Sequence, residues 1–172
     1  MILMSYDGSA DAQAAIERAA KLMPGAETTV LTVWEPYVDM LARTGSMGFG
    51  MAGGYTESEK IDAATGEAAL ATATEGAQRA TAAGLVAHPC AVSHRGGVAG
   101  AILAEAATTE ADAIVMGTRG LGGVKSFLLG SVSHQVVQHA DRAVIVVPSP
   151  TIAQHRRDWA GEEAVTAGAS PS

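Results

Sequence analysis

The sequence predicts an open α/β domain built on a parallel sheet. Five short apolar or β-branched runs recur along the chain, and longer stretches with helical spacing separate them. The 172 residues suffice for one domain of ordinary size with a substantial core. Strands that alternate with helices need crossover connections, and right-handed crossovers lay the strands in parallel.

In chain order, Ile2–Met4 reads as the first strand. Ala10–Leu22 follows as a helix, with Ala12, Ala15, Ile16, Ala19 and Leu22 on one face. Thr29–Trp34 is the second strand. Ser58–Ala83 is a long alanine-rich helix whose large aliphatics are Ile61 and Leu70. Leu85–Val92 is the third strand, and Val98–Ala107 a helix carrying Ile102, Leu103 and Ala106. Ala113–Met116 is the fourth strand, Ser131–Ala140 a helix with Val132, Val136, Val137 and Ala140, and Ala143–Val147 the fifth strand. Two stretches fall outside the alternation. Glu35–Tyr55 is rich in Gly and Met and reads as a mobile loop or lid, since long loops in compact domains are functional or disordered. After Pro148 and Pro150, residues 149–172 read as a mobile tail, with a brief helix around Trp159 as the alternative.

Composition narrows the function classes. Hydrophobic residues make up 48% of the chain but aromatics only 4%, and 20 positions are Gly, so much of the apolar content is small. The formal charge of −7 argues against nonspecific binding to nucleic acid or anionic membrane. With Cys90 the sole cysteine, an internal disulfide is impossible and a Cys-based zinc site is not expected. No apolar run approaches the ~20 residues of a membrane span, and Met1-Ile2-Leu3-Met4 lacks the basic start of a signal peptide. These features predict a soluble, cytoplasmic protein.

The segment that carries chemistry is Met116-Gly117-Thr118-Arg119-Gly120 through Leu129-Gly130-Ser131-Val132-Ser133. It leaves a strand and ends by opening a helix. Glycines there let backbone N–H groups approach a ligand without a Cβ in the way. The unpaired N–H groups and positive dipole end of a helix start suit phosphate oxygens, and Ser131 and Ser133 add hydroxyl donors. Such groups hold an anion rather than break a bond. The same residues also fit a glycine-rich turn followed by an ordinary serine N-cap. Standard fingerprints fail. Val124 separates Gly123 from the Lys125 that a Walker loop would need beside it, and Lys125 stands where a dinucleotide motif has its third glycine. A formal GxGxxG at Gly48, Gly50 and Gly53 has no strand immediately before it and reads as coincidence.

The spacing Gly117, two residues, Gly120, nine residues, Gly130-Ser131 resembles the universal stress protein family in its ATP-binding branch. The resemblance covers residues 1–148. Tyr6-Asp7-Gly8-Ser9 is similar to that family's first strand end, Leu31-Thr32-Val33 to its second strand and Ala143–Pro148 to its closing strand. The resemblance implies a Rossmann-like five-stranded parallel sheet of order 3-2-1-4-5, with helices on both faces and one nucleotide-binding domain over residues 1–148. In that order the switch point lies between strands one and four, where open α/β sheets bind ligands.

It also implies site residues. Asp7 would meet the ribose, with Ser5 and Tyr6 beside it, and Val33 would give backbone contacts to adenine. Met116, Gly117, Arg119 and Gly120 would form the first phosphate and ribose wall. Gly130, Ser131, Val132 and Ser133 would surround the β- and γ-phosphates. The ligand implied is ATP with Mg²⁺ on its phosphates. Tyr6 is bulkier than the residue of some ATP-binding relatives, and the Arg119 position varies among them. On its own each residue has a plainer reading: Asp7 as a helix cap, Val33 as strand core, Arg119 as a solvated charge.

The remaining polar residues offer little. His134 and His139 fall on different faces of one helix, and His88 and Cys90 share a strand face without further ligands, so no metal site is expected. Cys90 reads as a small buried hydrophobe. No nucleophile elbow is evident, and Glu162-Glu163 look solvated. The run Arg142–Val147 would be an edge strand, and a bare β-forming edge pairs readily with another chain. A homodimer through this strand is therefore expected, as is common in the family, unless helix or tail residues cover it. The expected role is an ATP-binding regulatory stress-response protein, not an enzyme beyond slow hydrolysis, acting through an unknown partner protein. Two alternatives remain open: an interaction module without nucleotide, and an adenylate-forming or nucleotidyl-transfer enzyme, whose usual motifs Tyr6-Asp7-Gly8-Ser9 does not supply.

Overall fold

The computed structural model describes residues 1–44, 54–118, 120 and 129–167. Its sheet consists of β1 (Ile2–Ser5), β2 (Glu27–Trp34), β3 (Val86–Ser93), β4 (Ala113–Gly117) and β5 (Ala143–Val147). The order is β3-β2-β1-β4-β5, with every neighbouring pair parallel, as the sequence implied. The helices are α1 (Ala10–Leu22), α2 (Tyr37–Thr44), α3 (Gly54–Ala82), α4 (Val98–Thr108), α5 (Ser131–His139) and α6 (Pro150–Ala167).

Alternation along the strands splits the core into two layers. Ile2, Met4 and Tyr6 face α1 and α3, where they meet Ile16, Val30, Ala77, Ala80 and Val115. Leu3 faces the other way, onto Leu31, Ile102, Ile114, Met116 and Val136 beneath α4 and α5. β1 and β4 sit at the centre and are buried almost throughout, which is why they read as continuous apolar runs. α1 is started by Ser9, whose Oγ accepts from the Ala12 N–H at 3.2 Å. The end of α4 and the turn after it are held by the residue before β5: the Arg142 guanidinium donates to the carbonyls of Ala106 and Ala111.

Several expectations need correction. Leu22, Leu70 and Val137 are exposed rather than core. α3 instead buries Ala69, Ala73, Ala77 and Ala80, a stripe small enough to bring the helix backbone close to the sheet. The stretch expected as a loop over Glu35–Tyr55 contains α2, and α3 begins at Gly54. The Tyr37 N–H donates to Asp62 Oδ1 at 2.6 Å, tying α2 to α3, and Arg43 pairs with Glu35 at 2.9 Å. Gly48, Gly50 and Gly53 lie outside the described residues. Over residues 149–172, expected as a mobile tail with a brief helix around Trp159 as the alternative, a helix runs from Pro150 to Ala167. Cys90 is half-buried, and its thiol donates to the Glu105 carboxylate at 3.7 Å. Burial and that carboxylate push the thiol pKa up. Among the described residues no helix is long and apolar enough to cross a membrane.

Both sheet edges are distinctive. Among the described residues, β5 has β4 as its sheet neighbour on one side and no strand paired on the other. On the opposite edge, β3 carries an exposed proline at its centre, Pro89, in register with Val30. The N–H groups of Val86 and His94 donate inward to Ala26 and Trp34 at 3.1 and 2.9 Å. Alternation then turns the Pro89 nitrogen outward, the one place a strand tolerates proline.

Few large side chains serve this core, so each matters. Leu3→Ala, at a position with no exposed surface, is expected to lower unfolding free energy by about 3 kcal/mol in urea titrations.

Candidate functional site

The crossovers after β1 and β4 leave to opposite faces of the sheet, and a crevice opens between their carboxyl ends. It encloses about 720 Å³, within the ~300–1,000 Å³ typical of small-molecule pockets. The candidate residues Ser5, Tyr6, Asp7, Val33, Met116, Gly117, Gly120, Gly130, Ser131, Val132 and Ser133 all line it. Arg119 lies outside the described residues. Ala12, Val98, Thr118, Leu129 and His134 also line the crevice, and the sequence reading did not assign them to it.

The β1 side is fixed from behind. Tyr6 extends β1, its N–H donating to Leu31 O at 2.8 Å while its carbonyl accepts from Thr32 Oγ1 at 2.9 Å. Its ring turns into the core below the crevice, so the bulk noted in the sequence does not fill the pocket. The phenol donates to Glu75 on α3. Burial, together with the Glu75 carboxylate, pushes the Tyr6 pKa up to about 12. Asp7 is not the cap of α1, since Ser9 fills that role. One Asp7 oxygen accepts the Ser9 N–H at 3.0 Å, and the other lies against Gly120.

The β4 side is organised by Thr118, which is fully buried. Its N–H donates to Val147 O at 3.0 Å, and its hydroxyl to the buried Asp11 carboxylate in the first turn of α1. Its carbonyl accepts from Gly130 N–H and from Ser133 Oγ, each at 2.8 Å. One residue thus joins β5, α1 and the start of α5. Gly117 makes the approach possible: a Cβ there would stand 2.7 Å from Asp11 Cβ and 2.8 Å from its carbonyl carbon. The Ser133 hydroxyl, expected as a ligand donor, is committed to backbone carbonyls instead. α5 opens at Gly130 without a side-chain cap, and its first turn lines the crevice. Thr118 stood inside the glycine-rich motif, but its partner Asp11 is 107 residues away, so no local pattern reveals the pair.

The crevice therefore joins an apolar wall (Val33, Val98, Met116, Leu129) to a carboxylate at Asp7 and an uncapped helix start. That combination suits a ligand with a flat apolar part, hydroxyls and an anionic end. Among the described residues no group of three His, Cys, Asp or Glu could hold a metal ion.

Comparison with known proteins bears on the family and the fold. The model of the universal stress protein family matches residues 1–148. A Thermus aquaticus protein, the universal stress protein in the QAH/OAS sulfhydrylase 3′ region, is 38% identical over 150 residues, covering 85% of this chain and 96% of its own. Among solved structures, hypothetical protein MJ0577 superposes with a TM-score of 0.66 at 21% identity, covering 86% of this chain and 94% of that one. The universal stress protein from Archaeoglobus fulgidus in complex with dAMP superposes with a TM-score of 0.53 at 20% identity, covering 85% and 95%.

Two stability measurements test the framework. Thr118→Val, which strands the buried Asp11 carboxylate, is expected to cost about 1–3 kcal/mol in denaturant unfolding, whereas Thr118→Ser keeps the hydroxyl and should retain most of the stability. The Tyr6 phenol keeps its proton in the fold up to about pH 12, whereas the unfolded chain releases it near 10.0. Its contribution is thus complete below pH 10 and is lost as pH rises through that window. Urea midpoints should fall from about pH 10 to 12, and Tyr6→Phe should flatten that part of the slope.

Proposed function

The chain belongs to the universal stress protein family, and on that premise we propose that it is an ATP-binding regulatory protein of the stress response. Adenine lies along the apolar wall beside Val33, and the ribose sits at Asp7. The phosphates run past Gly117, Arg119 and Gly120 to the first turn of α5, Gly130 to Ser133. The observation that carries the proposal is that strand ends far apart in sequence present an apolar wall, a carboxylate and an uncapped helix start to one crevice. The complex of an Archaeoglobus fulgidus relative with dAMP supports an adenine nucleotide as the ligand class.

Backbone N–H groups and a helix dipole hold phosphates without a lysine or arginine cluster, so a chain of net charge −7 remains compatible with ATP. Mg²⁺ would be carried by phosphate oxygens and water, its usual environment, since the described residues assemble no carboxylate or histidine cluster for it. The crevice supplies groups that hold rather than groups that transfer, which favours regulation over catalysis, with hydrolysis slow at most. The protein acts in the cytoplasm as a homodimer joined along the β5 edge at Arg142–Val147, and passes its nucleotide state to a partner protein.

Titration calorimetry with ATP and Mg²⁺ tests this. Gly117 variants are unsuitable, because the fold itself requires a glycine there. Ser131→Asp is better: Ser131 is exposed at the first position of α5, where a carboxylate favours the helix and repels phosphate. The wild type should bind, and the variant should lose at least about tenfold in affinity with no loss of thermal stability. Absence of binding by the wild type points to an interaction module without nucleotide. Rapid pyrophosphate release points to the enzyme alternative.

A further inference from the structure

We propose that Glu75 and Gly76, in the C-terminal third of α3, are positioning residues for the sugar-recognising carboxylate of Asp7, acting through the side chain of Tyr6. The proposal rests on the nucleotide reading above. Neither residue lines the crevice.

The chain of contacts is continuous. Tyr6 immediately precedes Asp7, so the placement of one fixes the backbone of the other. On the strand side, Leu31 O and Thr32 Oγ1 hold the Tyr6 peptide groups at 2.8 and 2.9 Å. These bonds fix the main chain on the β2 side. The side chain adds a second anchor, on α3. Its ring is 1% exposed, and its hydroxyl donates to Glu75, whose other oxygen takes the Arg79 guanidinium one turn further along α3. The Arg79 contact holds the Glu75 carboxyl below the usual carboxylate range, so the phenol has a charged acceptor at neutral pH.

Gly76 provides the space. A Cβ there would lie 2.6 Å from Tyr6 Cδ1, and 2.9 Å from both Tyr6 Cγ and Val30 Cγ1. A helix interior disfavours glycine relative to alanine, and the neighbouring stripe of α3 is alanine. The glycine at this one position is accounted for by the ring it admits. Asp7 is thereby pinned at both ends of its reach: Tyr6 is locked behind it, and ahead of it Oδ1 accepts the Ser9 N–H while Oδ2 rests against Gly120. Preorganised carboxylates of this kind discriminate between sugars because a hydroxyl lost from the ligand leaves them unpaired.

The test compares affinities for ATP and for 2′,3′-dideoxy-ATP, both with Mg²⁺, in the full chain. The wild type should prefer ATP. Tyr6→Phe and Gly76→Ala should weaken ATP by about tenfold and leave the dideoxy analogue nearly unchanged, so the preference collapses. Glu75→Gln keeps an acceptor oxygen for the phenol and should preserve the preference. Should Gly76→Ala fail to fold, Tyr6→Phe, which only removes a hydroxyl, carries the measurement. Equal losses for both nucleotides, or an unchanged preference in Tyr6→Phe, would overturn the proposal by showing that the contact serves the core alone. A wild type that binds both nucleotides equally removes the positioning role and leaves ATP binding standing. A wild type that binds neither removes both.

Discussion

The closeness of β4 to the first turn of α1 is the constraint on which the site depends. Gly117 allows that closeness, and the Thr118 hydroxyl bonded to the buried Asp11 carboxylate exploits it. It seats the end of β4 against the first turn of α1, beside the crevice that the opposite crossovers open. The same threonine receives the start of α5 on its carbonyl, so the helix terminus takes its place from the strand end rather than from its own capping residue. A helix start left without a side-chain cap keeps unpaired donors, which packing elsewhere would normally bury or satisfy. Here Thr118 and Ser133 hold the terminus in position while its first turn stays on the crevice wall.

Small side chains determine how the rest is packed around that contact. α3 lies against the sheet on alanines, with glycines where the rings of Trp34 and Tyr6 must fit. The scarcity of aromatics is therefore a matching condition: one buried ring needs one glycine opposite it, and an alanine stripe has little room for more. Close packing of this type gains dispersion contacts from backbone and Cβ atoms instead of long side chains. The large aliphatics are shared between the two faces, with Ile2, Met4, Ile16 and Leu85 on this one and Leu3, Leu31 and Ile102 on the other.

Much of this was legible in the sequence, for physical reasons. The central strands β1 and β4, buried on both faces, are continuous apolar runs, and all five strands appear in the pattern. The glycine spacing from Gly117 to Gly130 and its family resemblance collected the crevice residues from separate strand ends. Three things escaped. The buried face of α3 carries no contrast, because alanine occurs on every side, and the eye falls on Leu70, which is 47% exposed. α2 buries none of its residues and is held by Asp62 and by the Glu35–Arg43 pair, contacts that no local periodicity announces. Thr118 and Asp11 are joined across most of the chain. The Ser133 hydroxyl escaped differently: the residue was found, but its bond to a carbonyl belongs to tertiary structure.

The exposed proline on β3 bears on assembly. A sheet with two usable flanks has a strand-pairing valence of two, and copies joined flank to flank can grow into a ribbon without limit. Pro89 offers no donor at the middle of one flank, which weakens pairing there. Two copies meeting along their β5 strands would then turn only interrupted flanks toward solvent. A single imino acid, remote from the crevice, thus interrupts the one flank that each copy of such a pair would leave open.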